Sequence, residues 1–287
     1  MADLRKKVPE SVEGEFFVDR TCIDCDTCRQ LAPAVFAESA QYSYVHSQPR
    51  SADETRAAVR ALLACPVGSI GTLHRADARS VMGDFPMPID GPVYYCGFNS
   101  PDSYGATSYF IKHPEGNWLI DSPRFVSHLV RRFEELGGIR YLFLTHRDDV
   151  ADAARYARKF GATRIIHRED LGAQPDAELV IDGGEAVQME PEFKIIPTPG
   201  HSPGHCVLLF RGRYLFTGDH LWWHPGRNEL DAWRLACWHS WTEQTASMSR
   251  LVDETFEWVL PGHGNRVCLQ DGAMRAALQA LVERMRA

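Results

Sequence analysis

The chain has 287 residues, of which 44% are apolar and 24% are charged, and its formal net charge is -7. These values are ordinary for a globular protein with a sizeable core, and they exclude the strongly basic surface that nucleic-acid binding uses. The sequence has no apolar signal segment at its start and no apolar run of 18 residues. We therefore expect a cytoplasmic protein with neither a membrane span nor a nucleic-acid partner.

Half of the eight cysteines lie in the first 65 residues, at Cys22, Cys25, Cys28 and Cys65. The first three have the spacing C-x2-C-x2-C, and the fourth is followed by a proline. In a reducing compartment such a group of thiolates indicates a metal or iron–sulfur site rather than disulfides. Structural zinc sites usually pair two C-x2-C units, whereas two-residue spacers also let consecutive cysteines surround one cluster. The pattern favours one 4Fe–4S cluster, with a four-thiolate zinc site as the alternative.

This amino-terminal segment resembles a small bacterial-type ferredoxin over about residues 12–75. Two-cluster relatives have a further cysteine four residues after the third one, where this sequence has Ala32, so the resemblance implies a single cluster. Such a cluster transfers single electrons, either within the chain or to a redox partner protein. A purely structural role for the cluster is the alternative. We predict a ferredoxin-like domain over residues 1–80 and a linker rich in glycine and proline over residues 81–92.

Short apolar strands alternate with turns and helices from residue 93 to residue 287, the predicted second domain. Turn residues at Pro114–Asn117 separate two strands and predict a hairpin. The predicted strands are Ser108–Lys112, Trp118–Asp121, Tyr141–Leu144, Arg164–His167, Lys194–Pro197, Val207–Phe210 and Tyr214–Thr217. The predicted helices of this domain are Arg124–Leu136, Val150–Phe160 and Gly272–Met285. A further helix, Ser51–Leu63, is predicted in the amino-terminal segment. This order predicts an α+β fold in which two sheets pack together with helices outside.

Four short motifs then lie at or near the ends of predicted strands: Leu144–His146, Thr198–His205, Leu215–Asp219 and Leu260–Gly264. In this order they resemble the metallo-β-lactamase superfamily over about residues 90–287. The resemblance implies an αββα sandwich after the ferredoxin-like domain. It also implies that metal is bound at the mouth of the sandwich by His146, His201, Asp219 and His263.

The first motif departs from the H-x-H-x-D-H pattern of the superfamily. Placing His146 on the first histidine puts Asp148 on the second, Val150 on the aspartate and Ala151 on the last histidine. Valine and alanine cannot bind a metal. The second metal position then keeps only His263 and a shared aspartate, so we expect one mononuclear metal.

That metal is expected to be held by His146, His201 and Asp219, with Asp148 as a replacement ligand. Exchanging imidazole for carboxylate moves the preference from zinc towards iron or manganese, and we favour iron. Persulfide dioxygenases of the superfamily hold one iron through the equivalents of the first three residues, and flavodiiron proteins have an acid at the position of Asp148. Asp148 and Asp149 also suit the N-cap of the helix predicted from residue 150, so ligation by either residue stays open.

Other residues near these motifs have several interpretations. His263 binds a second metal, contacts substrate or acts as an acid or base, and we take His263 and Asp148 as candidate catalytic residues. His205 and His220 lie beside ligand motifs, where supporting roles are expected. Five tryptophans between residues 222 and 241 could wall a pocket or form a contact surface, but core packing is the expectation.

Together these features predict a mononuclear non-haem-iron oxidoreductase that acts on a small molecule and exchanges electrons with its own cluster. The first alternative is a metal-dependent hydrolase of the glyoxalase II type, which would cleave an ester or thioester while the cluster is structural or regulatory. The second alternative is a non-enzymatic redox sensor on a degenerate lactamase fold.

Overall fold

A computed structural model describes residues 2–270 and 272–287 of the chain, which divides into two compact units. The first unit contains the chain through Asn117 together with Ser122–Gly138, and the second contains Trp118–Asp121 and Ile139–Ala287. Within residues 2–270 and 272–287, no helix combines the length and the apolarity that crossing a membrane requires. The domain borders predicted from the two resemblances stay a prediction.

The first unit begins with two small antiparallel strand pairs and a helix that packs against them. Its strands are β1 (Phe16–Val18), β2 (Phe36–Glu38), β3 (Ser43–Val45), β4 (Ile70–Thr72), β5 (Met87–Asp90), β6 (Val93–Tyr95) and β7 (Tyr109–Ile111). Its helices are α1 (Thr27–Leu31), α2 (Ala52–Ala64), α3 (Arg79–Met82) and α4 (Ser127–Glu135). β1 pairs with β4 and β2 with β3. The hydroxyl of Ser51 accepts a hydrogen bond from the N–H of Glu54, which fixes the start of α2.

The predicted linker contains regular structure. Strand β5 lies inside residues 81–92 and pairs antiparallel with β6, which in turn pairs with β7. Gly83, Pro86, Gly91 and Pro92 lie between these elements, where turns need them, whereas Pro88 lies within β5. This stretch therefore belongs to a sheet and is not an irregular connection.

The second unit contains two sheets and the helices that cover them. Its strands are β8 (Trp118–Ile120), β9 (Tyr141–Phe143), β10 (Thr163–His167), β11 (Leu179–Ile181), β12 (Val187–Glu190), β13 (Phe193–Pro197), β14 (Cys206–Phe210), β15 (Tyr214–Gly218), β16 (Trp222–His224), β17 (Glu229–Asp231), β18 (Trp258–Pro261) and β19 (Val267–Cys268). Its helices are α5 (Ala153–Phe160), α6 (Trp241–Leu251) and α7 (Ala273–Arg286).

Strands β8 to β11 are parallel neighbours in chain order. The other sheet has the order β12-β13-β14-β15-β18-β19, and in it only the pairing of β15 with β18 is parallel. The two sheets pack face to face in this unit, since the ring of Trp118 in β8 stacks on that of Phe193 in β13 at a centroid distance of 4.3 Å. Helices α6 and α7 bury apolar side chains such as Met248 and Leu278 against the second sheet.

Most predicted strands and helices are confirmed to within three residues at either end. The helix after the first motif is the informative difference, because it begins at Ala153 and its N-cap residue is Asp152. The prediction that Asp148 or Asp149 caps this helix is therefore wrong. Both carboxylates lie in the preceding turns, where they are available for other contacts.

Candidate functional site

Asp121, Thr145 and His146 form a hydrogen-bonded chain beyond the carboxyl ends of β8 and β9. The hydroxyl of Thr145 lies 3.0 Å from both carboxylate oxygens of Asp121 and 3.0 Å from Nδ1 of His146. If that hydroxyl donates to the carboxylate and accepts from Nδ1–H, Nε2 of His146 carries the free lone pair. Nε2 is buried and has no hydrogen-bond partner in the described part of the chain. Burial lowers the pKa of His146 to about 4, which keeps the ring neutral and able to bind a metal.

Five side chains that the sequence singled out converge on one point. Oδ2 of Asp219 lies 3.8 Å from Nε2 of His146, 3.6 Å from Nε2 of His201 and 3.9 Å from Nε2 of His263. Oδ2 of Asp148 lies 3.4 Å from Nε2 of His201. Two atoms that each bind one metal at about 2.1 Å in tetrahedral geometry are roughly 3.4 Å apart. The donor atoms therefore have suitable chemistry and spacing for a metal ion, and their roles as ligands stay predictions.

The charges at this point also suit a cation. Burial acts to raise the pKa of Asp219, but its interactions with His263, His146 and His201 lower that pKa below its ordinary value. Its other oxygen, Oδ1, is buried and has no hydrogen-bond partner among residues 2–270 and 272–287. A buried carboxylate oxygen without a donor is costly unless a proton or cation compensates it. A metal ion would supply that compensation.

Asp149 adds a further carboxylate beside His146 and Asp219. Its side chain is almost fully buried. Burial raises the pKa of Asp149 well above the ordinary value, and the negative charge of Asp219 raises it further. Ligand atoms of His146, Asp149 and Asp219 lie within 4.8 Å of one another. Asp149, which the sequence left open as a ligand, therefore lies beside His146 and Asp219, and its role as a ligand stays a prediction.

Asp170 holds together the two loops that carry His146 and His201, and sequence reasoning missed it. Its carboxylate accepts hydrogen bonds from the N–H of Arg147, the hydroxyl of Ser202 and the N–H of Gly204. A Cβ at Gly204 would lie 2.7 Å from Cγ of Asp170, so only glycine permits this approach. Asp170 follows β10 at the carboxyl edge of a parallel sheet, which is the one sequence signal that could have found it.

His205 and His220 pack behind the converging donors. The ring of His205 lies 5.2 Å from that of His146 and 5.4 Å from that of His220, and both side chains are fully buried. Burial lowers the pKa of His220 to about 3, so it stays uncharged. These positions agree with the supporting roles expected from the sequence.

Four of the five tryptophans fall into two groups. Trp223 and Trp241 are partly buried and pack against the core of the second unit, as expected. Trp233 and Trp238 are 59% and 66% exposed, so core packing is wrong for them. The ring of Trp238 lies 6.4 Å from that of His201, and its backbone N–H donates to the carbonyl of His201. An exposed aromatic ring therefore borders the candidate metal centre.

The four amino-terminal cysteines line one small cavity in the first unit. The loop between Cys22 and Cys28 and the end of α2 at Cys65 bring them together. Burial raises the pKa of Cys25 to about 11. A group of thiolates in this place thus needs bound cations, which the irons of a cluster would provide.

Comparison with known families places both halves of the chain. Residues 102–263, more than half of the chain, match the sequence model of the family described as the metallo-beta-lactamase superfamily. The chain belongs to this superfamily. Residues 18–72 match the sequence model of the family described as the 4Fe-4S single cluster domain of Ferredoxin I. The predicted fusion and its fold class are confirmed, and the protein joins a 4Fe–4S domain to a metal-binding fold.

Relatives of the superfamily domain include proteins named as hydrolases. A hydroxyacylglutathione hydrolase from Acidiphilium cryptum (strain JF-5) is 25% identical over 202 residues, which are 63% of this chain and 76% of the relative. A probable metallo-hydrolase, YybB, from Bacillus subtilis (strain 168) is 28% identical over 149 residues, 44% of this chain and 68% of the relative. A metallo-beta-lactamase family protein from Thermus thermophilus shares the fold with a TM-score of 0.50 at 17% identity, covering 68% of this chain and 79% of its own.

One glycine of the first unit gives a direct test of the cluster site. Gly105 has φ +85°, and a Cβ there would lie 2.7 Å from Cβ of Cys25 and 2.9 Å from its Sγ. We expect Gly105→Ala to destabilise the protein by about 2–4 kcal/mol, because backbone strain and overpacking add, and to lower cluster content. Thermal unfolding and acid-labile sulfide measure the two effects.

Gly161→Ala is the matched control, since Gly161 has φ +66° and nothing within 4 Å of an added Cβ. This substitution should lower the free energy of unfolding by about 1 kcal/mol through backbone strain alone, and it should leave cluster content unchanged. Equal losses of stability and of cluster content in the two variants would show that the contact between residue 105 and Cys25 does not affect the cluster site.

Proposed function

We propose that this superfamily member is a metal-dependent hydrolase that cleaves a small ester or thioester. The observation that carries the proposal is the convergence of three imidazole nitrogens on Oδ2 of Asp219, with Asp148 on the solvent side of the same point. The hydrolase activities named for two relatives support it. Because the first of these relatives is a hydroxyacylglutathione hydrolase, a glutathione thioester is the first substrate class to test.

The surrounding residues supply the other parts of such a reaction. A metal ion held by His146, His201 and Asp219 would polarise the scissile carbonyl as a Lewis acid. The side chain of Asp148 is 48% exposed and its Oδ2 lies 3.4 Å from Nε2 of His201, so this carboxylate lies on the solvent side of the metal position, where it can accept a proton from an attacking water. His263 is a quarter exposed and is placed to contact the substrate. The exposed ring of Trp238 offers an apolar wall for one end of the substrate.

The test is thioester hydrolysis by protein that has been purified anaerobically, with and without removal of the mononuclear metal by a chelator. We expect removal to lower kcat/KM at least about 100-fold, equivalent to roughly 3 kcal/mol of transition-state stabilisation. Activity should be equal with the cluster oxidised and reduced. Hydrolysis that survives full metal removal would contradict the proposal.

A second candidate is a mononuclear iron oxidoreductase, and one observation favours it. Three carboxylates, from Asp148, Asp149 and Asp219, surround His146 and His201. Such an oxygen-rich donor set favours iron or manganese over zinc, and the attached 4Fe–4S domain could exchange electrons with a redox partner.

Metal analysis of native protein separates the two candidates. Zinc at full occupancy, together with hydrolysis that is independent of cluster state, would exclude the oxidoreductase. Iron beyond that accounted for by acid-labile sulfide, with turnover that requires an electron donor or acceptor, would support it. A protein that holds the cluster but binds no metal at His146 and His201 would contradict both candidates and favour a redox sensor.

A further inference from the structure

An arginine from outside the ferredoxin segment reaches the end of the helix that carries the fourth cluster cysteine. Nη2 of Arg124 donates to the carbonyl of Leu63 at 3.0 Å and to that of Cys65 at 3.4 Å. Cys65 is the C-cap residue of α2, where the partial negative charge of the helix dipole is concentrated. The guanidinium therefore places a cation beside a cysteine of the predicted cluster.

A second contact comes from Asn99, which is fully buried. Its side-chain N–H groups donate to the hydroxyl of Thr27 at 3.0 Å and to the carbonyl of Gly105 at 2.7 Å. Its Oδ1 accepts a hydrogen bond from the hydroxyl of Tyr95 at 2.7 Å. The hydroxyl of Thr27 in turn lies 3.5 Å from Sγ of Cys25. Asn99 thus fixes a hydroxyl next to a second cluster cysteine.

The cysteine loop itself has an excess of negative charge. Asp24 and Asp26 both pair with Arg29, so two carboxylates share one guanidinium. Reduction of a 4Fe–4S cluster adds one electron and therefore one further negative charge. A cation at Cys65 favours the reduced state, and the effect is large because burial limits screening by water.

We propose that Arg124 sets the reduction potential of the 4Fe–4S cluster, with Asn99 as a positioning residue at Cys25. The match to the cluster domain ends at residue 72, and Tyr95, Asn99 and Arg124 all lie beyond it. The cluster site is then built from both parts of the chain. All of these residues lie in the first unit.

The experiment is a potentiometric titration of the full chain, purified anaerobically with its cluster, with reduction followed by electron paramagnetic resonance. Arg124→Gln should shift the midpoint potential to a more negative value, because the cation is lost while a hydrogen-bond donor is retained. Arg124→Lys keeps the charge and should restore most of the wild-type potential. Asn99→Ser should give a smaller negative shift, because the Thr27 hydroxyl is no longer held at Cys25.

Arg131→Gln is the matched control, since Arg131 is an exposed arginine of α4 in the same unit. The midpoint potential of the cluster in this variant should equal that of the wild type. Equal potentials for Arg124→Gln and the wild type would overturn the proposal. Loss of the cluster from both Arg124 variants would overturn it as well, because the residue would then be only a structural support. Neither outcome depends on which reaction the protein catalyses.

Discussion

Asparagine in place of Asp219 is expected to lower metal affinity at the candidate centre by more than about 100-fold, and activity with it. Loss of a residue that only supports a ligand costs roughly 10–100-fold, and Asp219 faces three imidazoles directly. Its Oδ2 lies within 3.9 Å of Nε2 of His146, His201 and His263. The amide has the same shape but no charge, so the donor set loses the carboxylate that makes it attractive to a divalent ion.

The measurement is total metal per chain, with acid-labile sulfide used to subtract the iron of the cluster. Asp253→Asn is the control, because that side chain is 85% exposed and its substitution removes the same charge at the surface. The control should keep both the mononuclear metal and the cluster. If Asp219→Asn retained a full complement of mononuclear metal, the centre would have to be assembled from other residues.

The cluster cysteines and the regular elements were the easiest features to predict from the sequence. C-x2-C-x2-C spacing is specific because a loop of that length brings its thiols together by local geometry alone. Helix α2 was equally readable, since Ala58, Val59, Leu62 and Leu63 recur at helical spacing and pack in or against the same apolar cluster. Both signals depend on residues that are neighbours in the chain.

Contacts between distant residues were not readable in the same way. Asp170 is one acid in a run of charged residues, and nothing in that run shows that it will meet Ser202 and Gly204 from another loop. Asp149 suits a helix cap as well as a metal ligand because it precedes a helical pattern, yet the chain makes two turns first and Ala151 adopts φ +29°. The first motif could not be aligned beyond His146 without knowing those turns.

The position of Asp149 changes the meaning of the altered first motif. Valine and alanine at positions 150 and 151 remove two side chains that could bind metal, as the sequence indicates. The same turns place the buried carboxylate of Asp149 beside His146 and Asp219, which adds an oxygen donor to the candidate centre. Metal identity therefore depends on the number of carboxylates as much as on the number of remaining histidines.

Asp170→Ala is expected to destabilise the protein by roughly 3–5 kcal/mol, because it leaves the buried donors of Ser202 and Gly204, and the partly buried N–H of Arg147, without their acceptor. Those donors belong to the loops that carry His146 and His201, so metal affinity should also fall by roughly 10–100-fold. Chemical denaturation of the apo protein and metal titration of the native protein measure the two effects separately.

Asp170→Asn is the informative companion variant. Oδ2 of Asp170 accepts from Arg147 and Ser202, while Oδ1 accepts from Gly204 at 3.3 Å. An amide oxygen at the Oδ2 position keeps two bonds, but its NH2 group then faces the N–H of Gly204, and two donors cannot satisfy each other. The asparagine variant should therefore lie between the wild type and the alanine variant in stability, and closer to the wild type in metal affinity. If alanine lowered stability but left metal affinity unchanged, the two loops would hold His146 and His201 in place without this carboxylate.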